Sequence, residues 1–202
     1  AEEGFSIISD IDDTIRVTQV LSAGKAIENT LINPFRATEG FVSWYQRLAK
    51  QLTTDGDAPS FHYVSGSPSQ LYRPLYDFIS RVGFPSGSLF LRQFGFFNLN
   101  FWKGTQPHKL ERIPELINMF PKRKWILVGD SAEKDPQTFG TFFQADDFRR
   151  SNGIDIKCIY IRKVRGTDAK KEAELNKHER FEKDFEGIPR TKWVTFFDPS
   201  EV

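Results

Sequence analysis

Two carboxylates, Asp10 and Asp12, directly follow the apolar segment Phe5–Ser9 and are followed in turn by Thr14. The segment has the length and composition of a buried strand, and in open α/β sheets substrates bind beyond the carboxyl ends of the strands. Carboxylates at that position can act as a nucleophile, as a general acid and base, or as ligands of Mg²⁺. We interpret the segment as the nucleophile loop of a magnesium-dependent phosphatase.

Three further motifs offer the other groups that phosphoryl transfer needs, namely a hydroxyl and an amide for phosphate, a cation and more carboxylates. They are Ser65 and Gly66 after the apolar run Phe61–Val64, Lys109 near the start of a helical pattern, and Asp130 and Asp135 after Trp125–Val128. Each group alone has a structural alternative. Ser65 could cap a helix, Lys109 could lie on the surface, and Asp130 could belong to a turn.

Short apolar runs alternate with helical patterns along the chain. Most of the runs lack strict alternation, which is typical of buried parallel strands. The predicted strands are Phe5–Ser9, Phe61–Val64, Leu89–Leu91, Trp125–Val128, Ile154–Ile161 and Trp193–Phe197. Apolar stripes between them predict helices, including one that begins at Asp135 and a charged one within 166–187. This order predicts an α/β fold with a doubly wound, mostly parallel sheet and helices on both faces.

The 202 residues are enough for one domain with a substantial core, and we assign residues 1–202 to a single catalytic domain without a large cap. A formal net charge of +1 argues against a nucleic-acid partner, which needs a basic surface. No apolar stretch approaches the roughly 18 residues of a transmembrane helix, and the first residues lack a signal-peptide pattern. Because the chain does not start with methionine, we expect a domain excised from a longer protein, whose protein partners bind elsewhere.

In this order, the four motifs resemble those of the haloacid dehalogenase superfamily of phosphatases. The flanking segments are similar to the phosphatidate phosphatase catalytic domain of the fungal actin-patch protein type and its bacterial relatives, which are distantly related to the lipins. The matching segments are Ser9–Ile15, Asn33–Arg36, Tyr63–Pro68, Phe90–Arg92, His108–Ile113, Val128–Ser131 and Ile159–Arg162. The resemblance implies a haloacid dehalogenase-like Rossmannoid fold, Mg²⁺ as the cofactor, and hydrolysis of phosphatidate to diacylglycerol and phosphate.

The resemblance also implies a role for each motif residue. Asp10 would attack phosphorus and form an aspartyl-phosphate, and Asp12 would protonate the leaving group and then activate water. Mg²⁺ would be held by Asp10, by the main-chain carbonyl of Asp12 and by Asp130. The remaining roles are those of Ser65, Gly66 and Lys109 in binding phosphate, and of Asp135 in orienting metal-bound waters or Lys109.

An aromatic segment at 94–106 has neither helical nor strand periodicity and follows the predicted strand Leu89–Leu91. An enzyme that acts on a lipid phosphate at a membrane needs exposed apolar and cationic side chains near its site. We therefore expect this segment to be a membrane-interface loop, although its aromatic side chains could equally pack inward over the sheet. The candidate lipid contacts are Arg92, Phe97, Phe101, Trp102, Lys103 and Arg162.

Two other functions compete with this interpretation. The first is a phosphatase for a soluble phosphomonoester or a phosphoprotein, in which the segment 94–106 would act as a cap. The second is a noncatalytic phosphatidate-binding module, but such modules lack the nucleophile that Asp10 provides here. The favoured expectation is a cytoplasmic, peripherally membrane-associated enzyme whose partner is phosphatidate at a membrane surface.

Overall fold

The computed structural model describes residues 2–93, 105–144 and 154–202. The strands in these residues are β1 (Phe5–Ser9), β2 (Ser60–Pro68), β3 (Gly87–Arg92), β4 (Lys124–Asp130), β5 (Asp155–Arg162) and β6 (Trp193–Phe196). Within the described chain they form one six-stranded sheet in the order β3-β2-β1-β4-β5-β6, with every neighbouring pair parallel. The predicted doubly wound, mostly parallel sheet is therefore confirmed.

The centre of the sheet is the pair β1 and β4. From β1 the chain moves outward through β2 to β3, then returns to β4 and moves outward in the opposite direction. Such a reversal leaves a crevice at the carboxyl ends of the two central strands, where α/β proteins bind their ligands. Ser9 is level with Tyr63 of β2 and with Val128 of β4, so the loops after these three strands leave the sheet side by side.

Helices cover both faces of the sheet. They are α1 (Ala23–Ile27, continued by a π-helical turn at Glu28–Ile32), α2 (Phe41–Gln51), α3 (Tyr72–Val82), α4 (Thr105–Met119), α5 (Asp135–Gln144), α6 (Ala169–Leu175) and α7 (His178–Asp184). Because side chains alternate along a strand, Ile7 packs into the core layer under α2 and α3, and Ile8 into the layer under α4 and α5. The predicted helices on both faces are confirmed.

The charged helix predicted within 166–187 is in fact two short helices, α6 and α7. The break falls at Asn176, whose side-chain amide donates to the carbonyl of Val164 (2.8 Å) and accepts from the hydroxyl of Ser131 (2.6 Å). These bonds fasten the chain to the loops after β5 and β4, and a continuous surface helix would not reach them. Phe181 and Phe185 of the α7 region are buried, as their spacing predicts.

Candidate active site

The loop after β1 is fixed by its own backbone and by two buried anchors. The amide of Asp10 continues the sheet by donating to the carbonyl of Val128 (2.9 Å), and Ile11 and Ile15 are fully buried. Asp13 has a positive φ of 57°, and its carboxylate accepts from the amides of residues 18, 19 and 20. This side chain therefore shapes the loop.

Asp10 lies at the centre of the crevice, almost completely buried. Its Oδ1 is 2.7 Å from the ammonium nitrogen of Lys109, and its Oδ2 is 2.9 Å from the hydroxyl oxygen of Thr14. The same hydroxyl lies 3.2 Å from Asp130 Oδ2 and so links the carboxylates that follow β1 and β4. The fold thus brings together three residues that are distant in sequence. Lys109 lies 99 residues after Asp10, and Asp130 lies 21 residues after Lys109.

Lys109 projects from α4 into a group of carboxylates. Besides Asp10, it forms ion pairs with Glu133 (3.0 Å) and with Asp135. Asp135 Oδ2 also accepts from the backbone amide of Asp130 (3.3 Å), so one carboxylate joins Lys109 to the end of β4. This close approach requires glycine at position 129, since a Cβ there would lie 2.4 Å from Asp135 Oδ2.

The electrostatics of this cluster are dominated by excess negative charge. Three carboxylates, those of Asp10, Glu133 and Asp135, pair with Lys109, and Asp130 lies beside them. Arg162 and Arg180 also act electrostatically on Asp130. Burial raises the pKa of Asp10 well above its usual range; Lys109 opposes this shift, and the neighbouring carboxylates add to it. The pKa of Asp130 is also raised by burial and by Asp135 and Glu133. The cluster therefore favours an additional positive charge.

Asp12 is buried as well, but it faces a different set of groups. One carboxylate oxygen pairs with Arg16 and accepts from the hydroxyl of Thr18 (2.8 Å). The other accepts from the hydroxyls of Ser65 (2.6 Å) and Ser67 (2.9 Å). Although burial opposes ionisation, Arg16 and these hydroxyl donors outweigh it and lower the pKa of Asp12 to about 2.

The carboxyl end of β2 supplies the expected phosphate-binding segment. Ser65, Gly66 and Ser67 are buried in the last part of the strand, and the Ser65 hydroxyl accepts from the amide of Ser67 (2.9 Å) while donating to Asp12. A hydroxyl has only one hydrogen to donate, so Ser65 would turn from Asp12 to a bound phosphate oxygen. Ser65 therefore contacts Asp12 directly, and its role in binding phosphate remains a prediction.

The structure describes two of the six predicted lipid-contacting residues, Arg92 and Arg162. Arg92 ends β3 at the same edge of the sheet as the cluster. Arg162 ends β5, is partly buried and donates to the main-chain carbonyl of Asp13 (2.6 Å), so it braces the loop after β1. The other candidates, Phe97, Phe101, Trp102 and Lys103, lie outside the described residues.

Several residues of the site were not predicted from the sequence. Arg16 and Thr18 hold Asp12 from within its own loop, Ser67 adds a second hydroxyl from β2, and Glu133 adds a third carboxylate at Lys109. All four lie within or directly beside the motifs, so their closeness to the motifs in sequence was the signal that could have identified them. Their residue types alone do not distinguish them from turn and surface residues.

The donor set fits a hard divalent cation. Carboxylate oxygens of Asp10, Glu133 and Asp135 lie within 4.8 Å of one another, and oxygen ligands of this kind suit Mg²⁺. The predicted ligand set of Asp10, Asp12 and Asp130 overlaps this group only at Asp10 and remains a prediction. In the described arrangement Asp130 Oδ1 accepts from the amides of Ala132 (2.6 Å) and Glu133 (3.2 Å).

The chain is similar to several known proteins. A solved Pnkp1/Rnl/Hen1 complex matches at a TM-score of 0.48 and 16% identity, over 76% of this chain and 44% of that one, too weakly to support an argument. Phosphatidate phosphatase APP1 of Saccharomyces cerevisiae is 35% identical over 142 residues, and an uncharacterized protein of Schizosaccharomyces pombe is 32% identical over 140 residues.

These two alignments cover 68% and 67% of the chain but only 23% and 22% of the relatives, so the chain spans less than a quarter of their length. The family model described as the catalytic domain of phosphatidate phosphatase APP1 matches residues 5–163. That range contains β1 to β5 and every residue of the cluster around Asp10 and Asp12. The chain therefore belongs to the phosphatidate phosphatase APP1 catalytic-domain family.

Proposed function

We propose that this chain hydrolyses phosphatidate to diacylglycerol and phosphate, with Mg²⁺ as the cofactor and an aspartyl-phosphate intermediate. The observation that carries the proposal is the pair Asp10 and Asp12, buried two residues apart in contrasting environments at the switch point of the sheet. A relative named for phosphatidate phosphatase activity supports the choice of substrate.

In the first step, a carboxylate oxygen of Asp10 attacks phosphorus, and the bond from phosphorus to the diacylglycerol oxygen breaks. Asp12 donates a proton to that oxygen as it leaves. Lys109, 2.7 Å from Asp10, stabilises the negative charge that builds up during transfer. Bound Mg²⁺ would supply further positive charge against the phosphate and the surrounding carboxylates.

In the second step, Asp12 accepts a proton from water, the water oxygen attacks phosphorus, and Asp10 is released with inorganic phosphate. A pKa of about 2 keeps Asp12 in the base form that this step requires. The first step requires Asp12 to carry a proton. A phosphate that takes over the Ser65 hydroxyl would remove one hydrogen bond from Asp12 and place negative charge beside it, and both changes raise the pKa of Asp12.

The site must meet its substrate at a membrane surface, and we propose peripheral association. In the part of the chain that the structure describes, none of the helices has the length and apolar character needed to cross a bilayer. The expectation that 94–106 forms a membrane-interface loop stays a prediction, because 94–104 lies outside the described residues.

The deciding experiment is a panel of phosphate-release assays with Mg²⁺ and with a chelator. Phosphatidate in mixed micelles, para-nitrophenyl phosphate and a phosphoserine peptide serve as substrates, and an Asp10→Asn variant controls for contaminating phosphatases. We expect the highest kcat/KM with phosphatidate, loss of turnover with chelator, and recovery when Mg²⁺ is restored. Preference for the peptide or the soluble ester would contradict the lipid substrate, and release that survives chelation would contradict the cofactor.

A further inference from the structure

The segment 23–32 has its polarity reversed relative to an ordinary surface helix. Ile27, Leu31 and Ile32 are exposed, the last two at 62% and 75%, while Asn29 and Thr30 are buried. A helix that packs on a protein core normally turns its apolar side chains inward and its polar ones outward. The outward apolar side of this segment therefore faces water in the isolated chain. This exposure is unfavourable in free energy, and contact with an apolar partner would relieve it.

The buried polar side chains of the segment are bound to the loop that carries Asp12. Thr30 Oγ1 lies 3.4 Å from the guanidinium of Arg16, and the Asn29 amide donates to the carbonyl of Thr18 (3.3 Å). Arg16 and Thr18 are both direct partners of the Asp12 carboxylate. The reversal thus has a structural cause, since the inner side of the segment is bound to the two residues that hold Asp12.

Segment 23–36 borders α3, whose two exposed tyrosines lie on the flank of the helix away from that segment. Tyr72 and Tyr76 of α3 are each 48% exposed and their rings stack, with centroids 6.3 Å apart. They lie in the first two turns after β2, whose end carries Ser65. A cleft of about 270 Å³ joins the two segments and is lined by Thr30, Leu31, Asn33, Pro34, Phe35, Leu71, Pro74 and Arg81.

The charges of these two segments favour an anionic partner. Segments 23–36 and 72–81 contain four basic residues, Lys25, Arg36, Arg73 and Arg81, and two acidic ones, Glu28 and Asp77. All four basic residues are exposed. Exposed aliphatic side chains in segments with excess positive charge are a combination that binds the interface of an anionic bilayer.

We propose that Ile27, Leu31 and Ile32 form an interfacial face that rests on an anionic phospholipid bilayer beside the catalytic crevice. Their aliphatic side chains enter the boundary between head groups and acyl chains. The inference rests on the proposed function, which requires a lipid substrate. It goes beyond that function by assigning the bilayer contact to described residues outside the aromatic segment 94–106.

The test compares two surface variants in sedimentation with phosphatidylcholine vesicles that either contain or lack phosphatidate. Leu31→Ser/Ile32→Ser removes the most exposed part of the face. Met119→Ser is the matched control, because Met119 is 57% exposed at the end of α4, just before β4 begins at the opposite edge of the sheet. We expect the partition coefficient onto phosphatidate vesicles to fall about tenfold or more in the double variant and less than about twofold in the control.

Turnover of a short-chain, monomeric phosphatidate keeps this inference separate from the proposed function. It should be unchanged in the double variant, while turnover on vesicles falls with binding. Equal vesicle binding by the double variant and the wild type would overturn the interfacial face. A wild-type dimer in sedimentation velocity that the double variant dissociates, without a change in vesicle binding, would assign the face to a second copy of the chain. Absence of turnover on every ester would refute the function and leave the binding result interpretable.

Discussion

Asp10 and Asp12 are the same residue type, two positions apart and equally buried, yet their surroundings are opposite. Asp10 shares Lys109 with two other carboxylates, those of Glu133 and Asp135, and burial raises its pKa. Asp12 meets an arginine and three hydroxyls, and they lower its pKa to about 2 despite burial. The loop between them turns successive carboxylates to different sides of the crevice. The contrast shows that the fold, rather than the residue type, sets how readily each carboxylate ionises. The proposed roles, with Asp10 as nucleophile and Asp12 as acid and base, further require a bound cation that favours the ionised form of Asp10.

Exchanging each carboxylate for its amide gives the largest expected effect and tests the contrast directly. Asp10→Asn should lower kcat for phosphatidate by at least about 10⁴-fold, because no other group can form the covalent intermediate. Asp77→Asn, which alters an exposed carboxylate of α3, is the matched control and should retain full activity. Phosphate release measures both.

Asp12→Asn should behave differently from Asp10→Asn when the leaving group needs no proton. With para-nitrophenyl phosphate, it should release a burst of nitrophenolate and then stall, because hydrolysis of the intermediate still requires the base. Rapid-quench kinetics and mass spectrometry of the trapped aspartyl-phosphate detect this state. A burst from Asp10→Asn, or identical kinetics in the two variants, would contradict the division of roles.

Removal of Arg16 tests what holds Asp12 as a carboxylate. Arg16→Met leaves the Asp12 charge buried without its ion-pair partner, which should lower the free energy of unfolding by about 3–5 kcal/mol at neutral pH. The pKa of Asp12 should then rise, so protonation relieves the penalty and the deficit should shrink as the pH falls. Urea denaturation at several pH values measures the change.

A double variant separates the ion pair from the packing of the arginine. Arg16→Met/Asp12→Asn carries no buried charge at this position and should recover part of the lost stability. A deficit that is the same in the single and double variants, at every pH, would show that Arg16 acts through packing, for example through its contact with the ring of Phe35 at 4.4 Å.

Removal of Lys109 tests the surroundings of Asp10, as removal of Arg16 tests those of Asp12. Lys109→Met should lower kcat/KM by about 30-fold to 1000-fold, which corresponds to roughly 2–4 kcal/mol of transition-state stabilisation. Lys134→Met, an exposed change in the same loop as Glu133, is the control and should be nearly silent. Circular dichroism and steady-state kinetics distinguish loss of fold from loss of catalysis. Similar losses in both variants would show that general positive charge, and not the contact with Asp10, is responsible.

The sequence was sufficient for the sheet because its strands are bounded apolar runs. β1 has the predicted limits, Phe5–Ser9. β2 extends through the polar Ser65-Gly-Ser-Pro segment, which resembles a turn locally but pairs with β3, including Ser65 with Leu91. Tertiary pairing overrides the local preference of such residues.

The site was predictable where a residue type is unusual for its place, as at Asp10, Asp12 and Asp130. It was not predictable where the role depends on how an irregular loop folds back. Arg16 reaches Asp12 only because the loop after β1 turns sharply. Glu133 reaches Lys109 only because α4 packs against β2 and α5, which brings Lys109 to the loop after β4. Sequence periodicity carries no information about either contact.

The smallest predicted effect concerns His62, a buried residue away from the cluster. In an acid titration of stability, its contribution must be distinguished from that of Asp12. His62 of β2 is buried among the rings of Phe90, Phe120 and Trp125, and neither ring nitrogen has a hydrogen-bond partner among the described residues. Burial, with help from Arg123, lowers its pKa from 6.5 to about 4. As the pH falls, His62 therefore binds a proton near pH 6.5 in the unfolded chain but only near pH 4 in the folded chain.

The free energy of unfolding should consequently fall by about 2–3 kcal/mol between these two pH values. His62→Leu should remove this loss, while His178→Leu, at an exposed position, should retain it. Asp12 acts in a lower window, since its pKa falls from 3.8 to about 2 and its contribution disappears only below about pH 4. If His62→Leu kept the wild-type slope between pH 6.5 and 4, the loss would have to arise in another histidine such as His108, whose pKa burial also lowers. The carboxylates around Lys109 could not cause it, because a raised pKa makes the folded state more stable as the pH falls.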